Sequence, residues 1–205
     1  MHITVIGTGN VGGALAENWA DKGHQIHLGV RDTSKFKGRH LLSHPNITAY
    51  PIDKAVTRSD VILIAAVPQY TRSIIESMGD VTGKVIIDAM NSIRTSPEGY
   101  SNSFEALKTL AKGGELVKCF NTTGFENMKD PVYHGKGIDM FMAGDSKRGK
   151  EIAKQLALDA GFSSCYDFGG DDKAALLEQF ALCWINLAIM QGYGRNIALR
   201  VVSRT

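Results

Sequence analysis

Hydrophobic and polar positions alternate along the chain in two rhythms. His2 to Gly7 is a β-branched apolar run that ends at glycine, and the next segment, Val11 to Asp21, places Val11, Ala14, Leu15, Asn18 and Trp19 at helical spacing. Strand, turn and helix are therefore predicted. Gln25 to Val30 reads as a second strand and Asn46 to Tyr50 as a third. Val61 to Val67, VILIAAV, is the near-continuous apolar run that a parallel strand buried on both faces requires, and Lys84 to Ala89, KVIIDA, repeats it. Further strands are predicted at Leu116 to Phe120, Met140 to Ala143 and Ser164 to Asp167, with helices at Tyr70–Met78, Phe104–Lys112 and Lys147–Ala160. This alternation predicts an α/β fold with a doubly wound, mainly parallel sheet.

From Lys173 to Val202 the rhythm changes. The segment reads as one or two apolar helices broken near Gly192 and Gly194. It is too apolar for a solvated outer helix, so it is expected to pack on the sheet, on the mouth of a site, or on a second subunit. Residues 1–170 are thus assigned to a nucleotide-binding domain and residues 171–205 to a short helical extension. Arg94 to Ser103 is the one long loop candidate, and it follows a strand end, where ligands bind in such sheets.

Composition narrows the classes of partner. The 205 residues carry a formal net charge of +2, which gives no electrostatic footprint for nucleic acid or a membrane surface. No apolar stretch is read as approaching the roughly 20 residues that span a bilayer, because Glu178, Gln179 and Asn186 interrupt the tail. Cys119, Cys165 and Cys183 are widely spaced and odd in number, which suits reduced thiols and a cytoplasmic location. Small molecules are the expected partners, and the apolar tail with Trp184, Ile185, Leu187 and Ile189 favours a homodimer.

The first turn carries candidate chemistry. Gly7, Gly9 and Gly12 in GTGNVG follow a strand and open a helix, the context in which a glycine pattern cradles a dinucleotide pyrophosphate. This points to a Rossmann-type fold. At the end of the second strand an acid selects NAD, whereas arginine accommodates the 2′-phosphate of NADP. Here the strand runs HLGVRDTSK, so Arg31 stands in or beside the selecting position, with Thr33, Ser34 and Lys35 on the same loop. The expected nucleotide is NADP(H); if Asp32 faces the ribose instead, it is NAD.

These motifs resemble the coenzyme F420-dependent NADP oxidoreductases and the related nucleotide-binding domain of the STEAP metalloreductases. The resemblance runs through GTGNVG, GVRDTSK, ILIAAVPQY, VIIDAMNS, LVKCFNTTGFENM, DMFMAGDSKRGKEIA and the closing LEQFALCWINLAIMQGYGRNIALR. It implies nucleotide contacts at Thr8, Gly9, Asn10, Val11 and Gly12, and a 2′-phosphate site at Val30, Arg31 and Lys35. Val30 departs from the serine common in that family. The resemblance also implies that Ala66, Val67 and Pro68, then Ala89, Met90 and Asn91, line the path to the nicotinamide. A second redox partner, coenzyme F420 or a flavin, is implied near Asn121, Thr122 and Thr123, and some relatives carry histidine where this chain has Asn121. Family enzymes transfer hydride directly between rings, which demands close placement and exclusion of water rather than an acid, base or nucleophile.

The remaining residues fit that expectation. GxSxG, HExxH and CxxC are missing, and His40 and His44 lack neighbouring carboxylates that would complete a metal site, so no metal and no catalytic side chain is assigned. Glu178 reads first as a helix-surface carboxylate and second as a residue facing the substrate pocket, Trp184 and Met190 as core or dimer contacts rather than a ring-stacking platform, and Cys119 as a buried small hydrophobe rather than a redox-active thiol. Two other activities suit the same pattern: reduction of a small imine, keto acid or metal chelate, and non-catalytic NADP binding by a redox regulator.

Overall fold

The computed structural model describes residues 1–204. Strand β1 (His2–Ile6) leads through a glycine turn to α1 (Asn10–Asp21), then β2 (Gln25–Val30), β3 (Ile47–Pro51), α2 (Ile52–Val56), β4 (Val61–Ile64), α3 (Thr71–Met78) and β5 (Val85–Asp88). There follow α4 (Ser103–Leu110), β6 (Glu115–Cys119), α5 (Phe125–Lys129), a hairpin of β7 (Val132–Tyr133) and β8 (Lys136–Gly137), β9 (Asp139–Ala143), α6 (Lys147–Asp159), β10 (Ser164–Asp167) and α7 (Ala174–Ile185). The main sheet has eight strands in the order β10-β9-β6-β5-β4-β1-β2-β3. β1 to β6 run parallel, and β9 turns antiparallel against β6 with β10 parallel to it. The fold is the Rossmann type expected from the sequence, with strand order reversing at β1 and β4.

The continuous apolar runs serve two cores at once. In β4, Val61 and Leu63 join the cluster under α1 and α6, while Ile62 and Ile64 join the cluster under α2, α3 and α4. Successive side chains of a strand point to opposite faces, so a strand covered by helices on both sides needs apolar residues at every position. Trp19 of α1 is fully buried and donates its indole N–H to the Leu156 carbonyl of α6 at 2.8 Å, tying the first helix to the sixth.

Several elements differ from the sequence reading. The VILIAAV strand stops at Ile64, and Ala65 to Val67 leave it as irregular chain. Phe120 leaves β6 with φ of +60°, a left-handed turn that costs a non-glycine residue about 1–2 kcal/mol. Its buried ring packs edge-on to Trp19, with centroids 5.5 Å apart, and this packing holds the turn.

Of the one or two helices read for the tail, one forms. Helix α7 continues as a π-helical turn (Asn186–Met190), but no helix follows among the described residues. The chain folds back instead: the Ile197 carbonyl accepts from Trp184 Nε1 and Asn127 Nδ2, each at 2.8 Å, and Val201 N–H donates to Asp139. Asp171–Met190 is also a 20-residue helical run of mean hydropathy 1.3, long and apolar enough by those measures to cross a membrane, contrary to the sequence expectation. Here its inner face, Ala174, Leu177, Glu178, Ala181, Trp184 and Ala188, is buried.

Candidate functional site

The parallel strands β1, β2, β4, β5 and β6 all end at one edge of the sheet, and each segment singled out in the sequence follows one of them. The glycine turn follows β1. Gly7 has φ of +97°, and a Cβ there would lie 2.3 Å from the Ala65 carbonyl oxygen. Gly12, in the first turn of α1, would place a Cβ 2.1 Å from the Gly7 oxygen. Both glycines are therefore needed by the packing of turn, helix and strand. Gly9 differs, because a Cβ there would meet nothing within 4 Å. Helix α1 has no side-chain cap and no acid in its first turn, so its leading N–H groups and positive dipole end suit an anion.

The loop after β2 closes one side of this turn. Thr8 Oγ1 donates to the Lys37 carbonyl, and Gly38, at φ of +90°, sits so close that a Cβ would lie 2.6 Å from the Thr8 oxygen. Arg31, Lys35, Lys37 and Arg39 are exposed, with Asp32 the one acid among them. The Arg31 guanidinium lies 5.9 Å from the centre of the Tyr70 ring, which comes from the turn after β4. Tyr70 was read from sequence only as the start of a helix. Asp32 is occupied within its own loop: it accepts from Ser34 N–H at 2.8 Å and Ser34 Oγ–H at 2.6 Å. The hydroxyl and then the amide hold its carboxyl below the usual range. The Val30 side chain turns into the core, 5% exposed, so its missing serine hydroxyl is replaced by packing.

Ala66, Val67 and Pro68 follow the end of β4, with Val67 half-exposed and Pro68 buried at the start of the turn into α3. Beyond it, the ends of β5 and β6 are bridged by two amides. Asn91 Nδ2 donates to the Asn121 carbonyl at 2.7 Å, and Asn121 Nδ2 donates to Asn91 Oδ1 at 2.9 Å. Ala89 is buried beside this pair. Asn121 Oδ1 is buried and has no hydrogen-bond partner among the described residues. An unsatisfied buried acceptor of this kind costs about 1–3 kcal/mol, and a donor brought by a ligand would recover it.

Beneath the pair lies a cluster that the sequence reading missed. Lys118 of β6 is fully buried, and its ammonium donates to Asp88 Oδ2 at 2.9 Å, Glu178 Oε1 at 2.7 Å and the Met90 carbonyl at 2.7 Å. All three of its N–H donors are satisfied. Glu178 is 7% exposed, so the expectation of a surface carboxylate is corrected: the helix turns it inward to meet the lysine. Two signals pointed there, namely its place among Ala174, Leu177, Ala181 and Trp184 on the apolar face, and a lysine inside the strand LVKCF.

The CFNTTGFENM segment and the tail are built against each other. A Cβ on Gly124 would lie 2.5 Å from the Trp184 ring, so glycine lets the indole seat directly on the segment after Asn121. Trp184 is accordingly a core residue, whereas Met190 is 70% exposed. Cys119 is fully buried, and burial pushes its thiol well up, while Cys183 is exposed. His44 contacts Asp21 at 3.2 Å, His40 is exposed, and no set of three metal-ligating side chains is assembled among the described residues. Concavities of about 260 Å³ below α4 and about 810 Å³ beside α6 contain none of the strand-end residues above.

Comparison with known proteins agrees with this fold. Residues 2–92 match the family described as NADP oxidoreductase coenzyme F420-dependent. The chain is 27% identical to the F420-dependent NADP reductase of Methanothermobacter thermautotrophicus, covering 99% of this chain and 95% of that protein. It is 26% identical to a glycerol-3-phosphate dehydrogenase [NAD(P)+] of Thermoanaerobacter sp., covering 86% of this chain but 64% of that protein's length. A solved structure from Arthrobacter sp. FB24, described as a candidate F420-dependent NADP reductase, superposes with a TM-score of 0.86 at 22% identity, covering 99% of this chain and 100% of that one. An imine reductase from Bacillus cereus superposes at 0.67 with 19% identity, covering 93% of this chain and 62% of that one. The chain is therefore similar to the coenzyme F420-dependent NADP oxidoreductases, in sequence over residues 2–92 and in fold throughout, a likeness that supports an NAD(P)-dependent oxidoreductase.

Proposed function

We propose that this chain transfers a hydride between NADP(H) and a deazaflavin, coenzyme F420, or a flavin-type ring. The observation that carries the reading is the contrast between Arg31 and Asp32. Asp32 spends its carboxylate on Ser34, while the Arg31 guanidinium, beside Tyr70 at the crevice mouth, is open to a phosphate. A guanidinium can form paired hydrogen bonds to that phosphate, and Lys35 adds a positive charge four residues on.

The other strand ends divide the remaining work. Thr8 to Gly12 offer backbone N–H groups to the pyrophosphate, and Gly9 leaves room for it. When bound, the nicotinamide supplies the hydride chemistry. Ala66 to Pro68 and Ala89 to Asn91 wall its path, and the unpaired Asn121 Oδ1 fits the N–H of a carboxamide. An amide at Asn121 orients without titrating, which suits a reaction that moves hydride between rings and asks for placement and dryness.

The tail supports two further parts of the reading. Leu176, Ile189 and Met190 leave an apolar face on α7 and its continuation, which we assign to a homodimer contact. The three free cysteines fit a reducing compartment, the cytoplasm. Binding of NADPH and NADH, followed by anaerobic mixing of the reduced complex with oxidised F420 or FMN, tests the function. Preference for NADPH with stoichiometric oxidation supports it; tight binding with no transfer to either ring favours a non-catalytic regulator. Sedimentation at two concentrations tests the dimer, which a monomer at both would exclude.

A further inference from the structure

The cluster of Asp88, Lys118 and Glu178 does more than fill space. Every polar backbone group it touches belongs to Met90–Ser92, the segment that carries Asn91. Asp88 Oδ1 accepts from Met90 N–H at 3.0 Å, Lys118 donates to the Met90 carbonyl, and Glu178 Oε2 accepts from Ser92 N–H at 2.9 Å. On the other side, Ser92 Oγ accepts from Ser103 N–H at 3.0 Å, and Ser103 Oγ–H donates to Asp88 Oδ2 at 2.8 Å. One residue of this lattice, Glu178, comes from the carboxy-terminal helix. Two buried carboxylates share one ammonium, so Glu178 is held by its two hydrogen bonds as well as by charge.

We infer that Glu178 is a positioning residue: through Lys118 and the Ser92 amide it fixes the Asn91–Asn121 bridge, and so couples docking of the carboxy-terminal helix to binding of the nicotinamide end of the cofactor. The inference rests on the nicotinamide reading above. Its specific consequence is that Glu178 governs one half of the nucleotide and leaves the other untouched, because among the described residues the Arg31 loop and the glycine turn share no hydrogen bond or ion pair with the cluster.

Glu178→Gln keeps the shape but offers one oxygen where the carboxylate offers two, so either Lys118 or Ser92 loses its acceptor. Calorimetric titration compares NADPH with 2′,5′-ADP, which carries the adenosine and 2′-phosphate but no nicotinamide. The variant is expected to weaken NADPH by about tenfold, the loss of one charge-assisted hydrogen bond, and to leave 2′,5′-ADP within about twofold. Equal losses for both ligands, or none for either, overturn the inference. Failure of the unaltered protein to bind 2′,5′-ADP overturns the NADP reading itself. If Glu178→Gln does not fold, Ser92→Ala removes the acceptor of Ser103 N–H from the same segment. It is expected to show the same discrimination at smaller size, and an unselective loss there also refutes the proposal.

Discussion

The three glycines of the first turn have different jobs, and alanine at each separates them. At Gly7 a Cβ would meet the Ala65 oxygen at 2.3 Å with φ at +97°. The left-handed backbone costs about 1–2 kcal/mol and the overpacking a further 1–3 kcal/mol, so Gly7→Ala is expected to lose roughly 2–5 kcal/mol of stability. Gly12→Ala meets the Gly7 oxygen at 2.1 Å and belongs in the same class. At Gly9 the backbone is extended, with φ of −80°, and a Cβ meets nothing. Reduced freedom of the unfolded chain offsets a poorer helix cap, which keeps Gly9→Ala within about 1 kcal/mol of the natural protein. Its methyl group nevertheless occupies the space assigned to the pyrophosphate. Urea unfolding and fluorescence titration with NADPH read the two effects separately. Gly9→Ala should unfold normally and bind at least tenfold more weakly, a loss of about 1.4 kcal/mol. Normal NADPH affinity in Gly9→Ala, or normal stability in Gly7→Ala, refutes this assignment.

Three further outcomes follow from named contacts. Arg31→Ala should weaken NADPH roughly ten- to hundredfold, the range of one hydrogen bond to a charged group, while NADH is unchanged; equal losses in parallel titrations would remove Arg31 from the 2′-phosphate site. Lys118→Met leaves Asp88 and Glu178 buried without their cation, and urea unfolding should show a loss of about 3–5 kcal/mol. Glu115 is held below the usual carboxylate range first by the Ser146 hydroxyl and then by Arg148. Because its folded value is depressed, the stability it adds is complete above the ordinary carboxylate range and is lost as pH falls through the depressed value. Stability curves of Glu115→Gln and the natural protein should therefore differ near neutral pH and converge in acid; a gap that persists unchanged in acid counts against the pair.

What was legible in the sequence had a repeating physical cause. β4 and β5 were readable because burial on both faces demands apolar residues at every position, and the glycine turn was readable because its backbone admits little else. Short or long-range features were not. The β7 and β8 strands have two residues each, too few for any periodicity to register. The end of the tail was left open between one helix and two; a single helix forms, and beyond Gly194 the Ile197 carbonyl is claimed by Trp184 and Asn127 from elsewhere in the fold. Glu178 was misread because a carboxylate is assigned to the surface unless its partner is known, and Lys118 lies 60 residues away in sequence. At the candidate site, the sequence favoured Arg31 over Asp32 by residue type alone; the two hydrogen bonds that Asp32 accepts from Ser34 within its own loop were not readable from it.

The central claim is direct hydride transfer between two bound rings. Anaerobic mixing of the protein with NADPH deuterated at C4 of the nicotinamide and with oxidised F420 tests it in a single turnover, read by absorbance and by mass spectrometry of the recovered deazaflavin. The account predicts loss of NADPH and of oxidised F420 in equal amounts, with the deuterium retained on the reduced deazaflavin. Oxidation of NADPH with only solvent hydrogen in the product, or firm binding of NADPH with no transfer to the deazaflavin, would contradict it.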